Sequence, residues 1–141
     1  MMEITANAIQ TVAVNQPIIF TETAVQGNCS TVHREGSGLV GLRGLPNGQL
    51  RARFLVTFGA NIAIPTGGEV GAISLAIAIN GEPVGTSTMI NTPSAVEEYN
   101  NVSASIYIDV PIGCCSQVSV ENTSTIPVSV QNANLIIERV A

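Results

Sequence analysis

Hydrophobic and polar residues alternate along much of the chain, and the parity of the alternation assigns faces. Over residues 102–110 the even positions Val102, Ala104, Ile106, Ile108 and Val110 are apolar, while the odd positions Ser103, Ser105, Tyr107 and Asp109 are mostly polar. A period of two belongs to a half-buried strand, whose successive side chains point to opposite faces. Leu50, Ala52, Phe54, Val56 and Phe58 form a second such row, opposed by Arg51, Arg53, Leu55 and Thr57. Ile73, Leu75, Ile77 and Ile79 form a third. Its opposite face, Ser74, Ala76, Ala78 and Asn80, is small and uncharged, and suits another sheet or another subunit as well as water. Shorter strands are predicted over residues 11–14, 18–23, 31–34, 39–42, 117–121 and 128–137.

Turn chemistry separates these rows: Pro46-Asn47-Gly48, the stretch from Pro65 to Gly68, and Asn80-Gly81. Asn-Gly tolerates positive φ and suits a two-residue hairpin. Short strands at near-regular spacing predict an all-β antiparallel sandwich or barrel, one domain over residues 1–141. Thr92-Pro93 followed by Glu97-Glu98 fits a single helical turn or an extended loop equally well. Glycines 36, 38, 41 and 44 have no following helix, so they read as relief of crowding where a sheet bends rather than as a phosphate cradle.

Composition narrows the function classes. Of 141 residues 45% are hydrophobic and only 11% charged, the net charge is −5, and all five basic residues are arginines. Without lysine, Schiff-base chemistry and a P-loop are excluded. Without a basic surface, nucleic acid is not an expected partner. No stretch approaches the ~18 apolar residues that span a bilayer, so no membrane partner is expected either. The start, Met1-Met2-Glu3-Ile4-Thr5, lacks the basic region and apolar core of a secretion signal, which points to synthesis in the cytoplasm. With so little charge to keep copies apart, self-association is the economical way to cover apolar and small uncharged surface.

Candidate chemistry is sparse. Cys29 and the adjacent Cys114 and Cys115 include no Cys-x-x-Cys, which removes thioredoxin-like and zinc-ribbon readings. If the strand through Val118 and Val120 begins at the pair, Cys114 points inward and Cys115 outward. The thiols are then reduced and structural, or Cys29, Cys114 and Cys115 supply a disulfide between subunits. His33 lies four residues after Cys29; in a strand the two share a face roughly 13 Å apart, too far for a nucleophile–base pair. Glu97 and Glu98 are the only adjacent acids and Asp109 is the sole aspartate, so no carboxylate pair across a cleft is indicated. There is no Gly-x-Ser-x-Gly elbow, and Asn28, Asn101 and Asn122 match a glycosylation pattern that means little without a signal. No cofactor, metal or catalytic residue is expected, and an enzyme is not the reading favoured.

The last forty residues bear a resemblance. Asn101-Val102-Ser103-Ala104-Ser105-Ile106-Tyr107-Ile108-Asp109-Val110-Pro111, then Gln117 to Ser124, then Val128 through Asn132-Ala133-Asn134-Leu135-Ile136-Ile137-Glu138-Arg139-Val140-Ala141 resemble the closing strands of bacterial C1q/TNF-like domains. These domains cap BclA-type exosporium glycoproteins and occur in phage surface proteins. Residues 12–20 fit the family's first strand, 51–58 a strand after a Gly or Pro turn, and 75–82 a strand ending in Asn-Gly, more loosely. There is no Gly-x-y stalk, and the cysteines are outside the family pattern. The resemblance implies a two-sheet antiparallel jelly roll forming a homotrimer, with the final strand, in which Leu135, Ile137 and Arg139 share one parity, near the threefold axis. It implies a structural subunit on the outer surface of a virion (capsid decoration or head fibre) or of a spore (surface layer or appendage). Its partners are then itself and other capsid or spore-surface proteins. A carbohydrate- or receptor-binding module using jelly-roll loops is the alternative.

Overall fold

A computed structural model describes residues 1–141. The chain forms twelve strands: β1 Met2–Ala6, β2 Gln10–Val12, β3 Glu22–Val25, β4 Thr31–His33, β5 Val40–Arg43, β6 Arg51–Ala63, β7 Ile73–Ile79, β8 Glu82–Pro83, β9 Met89–Asn91, β10 Asn100–Pro111, β11 Cys115–Asn122 and β12 Val128–Arg139. They make two antiparallel six-stranded sheets. The first runs β10-β6-β12-β1-β3 with β2 also on β12; the second runs β4-β5-β11-β7-β8 with β9 also on β7. No helix is long and apolar enough to cross a membrane.

The predicted parity closes the core. Ala52, Phe54, Val56, Phe58, Ala60 and Ile62 of β6 are buried, facing Ile73, Leu75 and Ile77 of β7 and Val118 and Val120 of β11 in one apolar cluster. Each large side chain so buried contributes about 1.5–3 kcal/mol. Phe20 meets Phe58 edge-on, ring centroids 6.4 Å apart, a favoured aromatic geometry. β10 is an edge strand, and its Val102, Ala104 and Ile106 stay half-buried against this core. The expected two-residue hairpin joins β7 to β8: Ile79 pairs with Glu82 across Asn80 (φ 52°) and Gly81 (φ 84°).

Several expectations change. β1 lies where no strand was predicted, although Met2, Ile4 and Ala6 alternate with Glu3 and Thr5 and are buried. The strands expected over 11–14 and 18–23 survive only at their outer ends, in β2 and β3, and residues 13–21 between these are irregular; Ile18 and Phe20 are buried there, Ile18 N–H donating to Val120 O and Phe20 exchanging bonds with Ser37 O and Gly36 N–H. Leu50 precedes β6 and is 91% exposed instead of heading its inward row. Residues 92–99 form no helical turn, because Glu97 (φ 58°) turns its N–H to Ile64 O at 2.8 Å and its carboxylate to Thr66. Ala76 and Ala78, left open above, are buried within the single chain.

Candidate functional site

The outward parity of the first sheet builds a surface that runs across β10, β6 and β12. Pairing sets Tyr107 opposite Leu55, Ser105 opposite Thr57 and Ser103 opposite Gly59, with Ile136 and Asn134 of β12 continuing the last two rows. Thr57 Oγ1 and Ser105 Oγ share a hydrogen bond of 3.0 Å. Leu55, Thr57, Gly59 and Ile136 are half-buried and Tyr107 is exposed. Across β10, β6 and β12 the Ser105–Thr57–Ile136 and Ser103–Gly59–Asn134 rows carry no charge, while the Tyr107–Leu55 row ends on Glu138, so the neutral centre of the face is these two rows.

Charge gathers at one end of the face. Arg53 donates to Asp109 from Nε (2.8 Å) and Nη2 (3.1 Å), a two-pronged pair, with Arg51 4.0 Å away. The hydrogen bond and charge of Arg53 hold the Asp109 carboxyl below its ordinary value. At the other end amides cross the sheet head to tail. Asn101 Nδ2 donates to Asn61 Oδ1 (3.2 Å), Asn61 Nδ2 to Asn132 Oδ1 (3.1 Å), and Asn132 Nδ2 to Asn7 Oδ1. Asn132 sits at a register shift in β12 with φ 57°, a left-handed conformation that Asn tolerates, and the bulge aims its amide along the row. Beside it lies a polar cleft of ≈ 320 Å³ lined by Thr5, Asn7, Glu22, Asn132, Ala133 and Asn134.

The residues singled out from sequence are dispersed differently from the expectation. Leu135 and Ile137 are fully buried inside one chain, packed in the core between the sheets. The face they share is the core of one chain. The free face of β12 carries Asn134, Ile136 and Glu138 instead. Arg139 is half-buried, donating from Nη1 to Leu45 O (2.7 Å) and from Nε to Ala141 O (2.9 Å).

Cys114 is exposed, not a core residue, because it closes the Pro111–Cys114 turn (Cys114 N to Pro111 O, 3.0 Å) and β11 begins only at Cys115. Cys115 and Cys29 are also exposed, and all three thiols are free. His33 ends β4 with Nε2 3.0 Å from Ser37 O, while Cys29 lies in the turn before that strand. No group of three or more His, Cys, Asp or Glu side chains stands where it could hold a metal ion. Sequence reasoning missed the amide row and the Arg53–Asp109 pair. Their signal was the odd parity of β6 and β10, but Asn7 joins only through a strand order that parity does not give.

No protein-family model matches the chain, and no curated protein matches it by sequence. Solved structures do resemble it. The globular domain of zebrafish complement 1qA superposes with a TM-score of 0.72 at 13% identity, covering 99% of this chain and 96% of that one. The Eiger TNF of S. frugiperda gives 0.71 at 12% identity over 99% and 91%. The EclA C-terminal domain, a sugar-binding protein, gives 0.43 at 12% identity over 94% and 79%. The fold is a C1q/TNF-like jelly roll.

Proposed function

We propose that this chain is a non-enzymatic structural subunit that assembles as a homotrimer and is displayed on the outer surface of a virion or a spore. The observation that carries the reading is the neutral centre of the first sheet's outer face, the rows Ser105–Thr57–Ile136 and Ser103–Gly59–Asn134, with Glu138 beside Leu55 at its margin. Small side chains there let a neighbour approach closely, Leu55 and Ile136 supply apolar area, and no central charge opposes its burial. The Arg53–Asp109 pair and the amide row border that centre as a polar rim.

Light scattering tests the assembly: the chain is expected at about three times its 14.6 kDa mass. Thr57→Arg sets a cation on each copy in the middle of the shared face and is expected to leave folded monomers at micromolar concentration. A wild-type monomer, or an unchanged Thr57→Arg trimer, overturns this interface. Antibodies raised against the domain are expected to label intact virions or spores of the source organism.

A second reading, a carbohydrate-binding module, is favoured by the cleft beside the amide row, since Asn7, Asn132 and Glu22 offer the planar donors and acceptors that sugar hydroxyls use. Glycan-array binding that is lost in Asn132→Ala favours it over the subunit reading.

A further inference from the structure

All three cysteines sit at one end of the second sheet. Ser30, next to Cys29, accepts from Arg43 N–H (2.8 Å), and Cys115 pairs with Arg43 from the other side. Cys114 O accepts from Gly44 N–H (2.9 Å), and Gly113 N–H donates to Gly44 O (2.9 Å). Cys114 and Cys115 line a cleft of ≈ 300 Å³ with Arg43, Leu45 and Pro46. Only Arg43 is charged there.

No two of these thiols are placed for a relaxed disulfide inside one chain as it is folded. Adjacent residues hold their Cα atoms ~3.8 Å apart, below the ~4.4–6.8 Å that a relaxed disulfide spans. A Cys114–Cys115 disulfide is therefore a strained ring, and closing it disturbs backbones tied to Pro111, Gly44 and Arg43. Cys29 stands two strand spacings from the pair, roughly 9–10 Å, beyond the ~7 Å limit. Three exposed thiols with no unstrained partner of their own favour pairing with another molecule. Their end of the molecule is the tip of the β10–β11 turn, apart from the neutral centre of the first sheet's outer face.

We infer that this thiol-bearing end links separate assemblies to one another, end to end, through disulfides between Cys114 or Cys115 of one copy and the same pair of a second copy. The linkage rests on the subunit reading above for what is linked, trimers rather than single chains. A small disulfide such as oxidised glutathione supplies the oxidant. The thiolate of one chain attacks a glutathione sulfur, breaking the S–S bond, forming a mixed disulfide and releasing one glutathione thiolate. The thiolate of the second chain then attacks the protein sulfur of the mixed disulfide, forming the bond between chains and expelling the second glutathione. Two protein thiols are oxidised, one glutathione disulfide is reduced to two thiols, and the two protein protons pass to the departing thiolates.

The test compares the full chain, reduced and then treated with oxidised glutathione, by light scattering under native conditions and by non-reducing gel. The native mass is expected at least to double on oxidation and to return with reductant. Cys29→Ser is expected to behave as wild type, and the double variant Cys114→Ser, Cys115→Ser to hold its reduced mass. A native mass unchanged by oxidation overturns the proposal, whether the gel shows single chains, glutathione adducts or covalent pairs inside one assembly. So does doubling that survives in the double variant. A reduced mass of one chain overturns the trimer instead; oxidation then still doubles that mass if the end-to-end linkage is correct.

Discussion

Asn122 is a fully buried polar side chain, and its amide is spent completely. Nδ2 donates to Val12 O (3.0 Å) and Ile126 O (2.9 Å), while Oδ1 accepts from Ser124 N–H (2.9 Å). One residue thus ties β2 to the β11–β12 connection. Asn122→Ala strands these backbone groups at about 1–3 kcal/mol each, so thermal melting is expected to show a loss of about 3 kcal/mol and a Tm lower by about 10 °C. Its neighbour Glu121 behaves oppositely. Burial raises the Glu121 carboxyl above its ordinary value, more than a hydrogen bond with Ser119 lowers it. The folded chain therefore holds that proton to higher pH than the unfolded chain does. Stability falls as pH rises from the usual carboxylate range through the raised value. Glu121→Gln, which mimics the protonated form, is expected to raise Tm at pH 7, with the advantage vanishing in acid. Cys114 shows where residue-level parity fails. Counting back from Val118 assumed a strand that begins at the pair, but the preceding turn releases Cys114 from the alternation.

Among elements, the long strands were legible and the short ones were not. β6, β10 and β12 carry enough alternating positions to declare their period and their inner face. β8 and β9 have two and three residues, too few for a period. Residues 13–21 look strand-like because Ile18 and Phe20 are buried, yet their ladder is replaced by single contacts. One of these is a side chain imitating backbone: the Gln10 amide donates to Ile19 O (2.9 Å) and accepts from Ile19 N–H (3.0 Å). Gly44 was read as relief of crowding, and it is: a Cβ there meets Pro111 O at 2.2 Å and Ile112 Cα at 3.1 Å, both backbone. Gly44→Ala must push β5 away from the β10–β11 turn and is expected to cost about 1–3 kcal/mol in a denaturant melt. Gly71→Ala, where a Cβ meets nothing within 4 Å, is expected to be nearly neutral.

At the scale of the whole molecule, the fold was legible further than the candidate site. Two sheets follow from which residues alternate, whereas a surface follows from which strands become neighbours. Leu135 and Ile137 illustrate the gap: their shared parity was visible, but only the seat of β12 between β6 and β1, against the second sheet, shows that their face is the core. The amide row likewise needs β10, β6, β12 and the end of β1 in that order. The same seat has a consequence in time. Met2 to Ala6 pair with Ile137 to Ala133, and β6 pairs with β12 from its other side, so β12 alone joins the β1–β3 pair to the β6–β10 pair. The first sheet has no middle until β12 is in place. Until then it can exist only as two separate pairs, β1 with β3 and β6 with β10, and pairings as distant as that of β1 with β12 make folding slow. Completion of the first sheet therefore waits on a single event, the docking of β12 between its two halves.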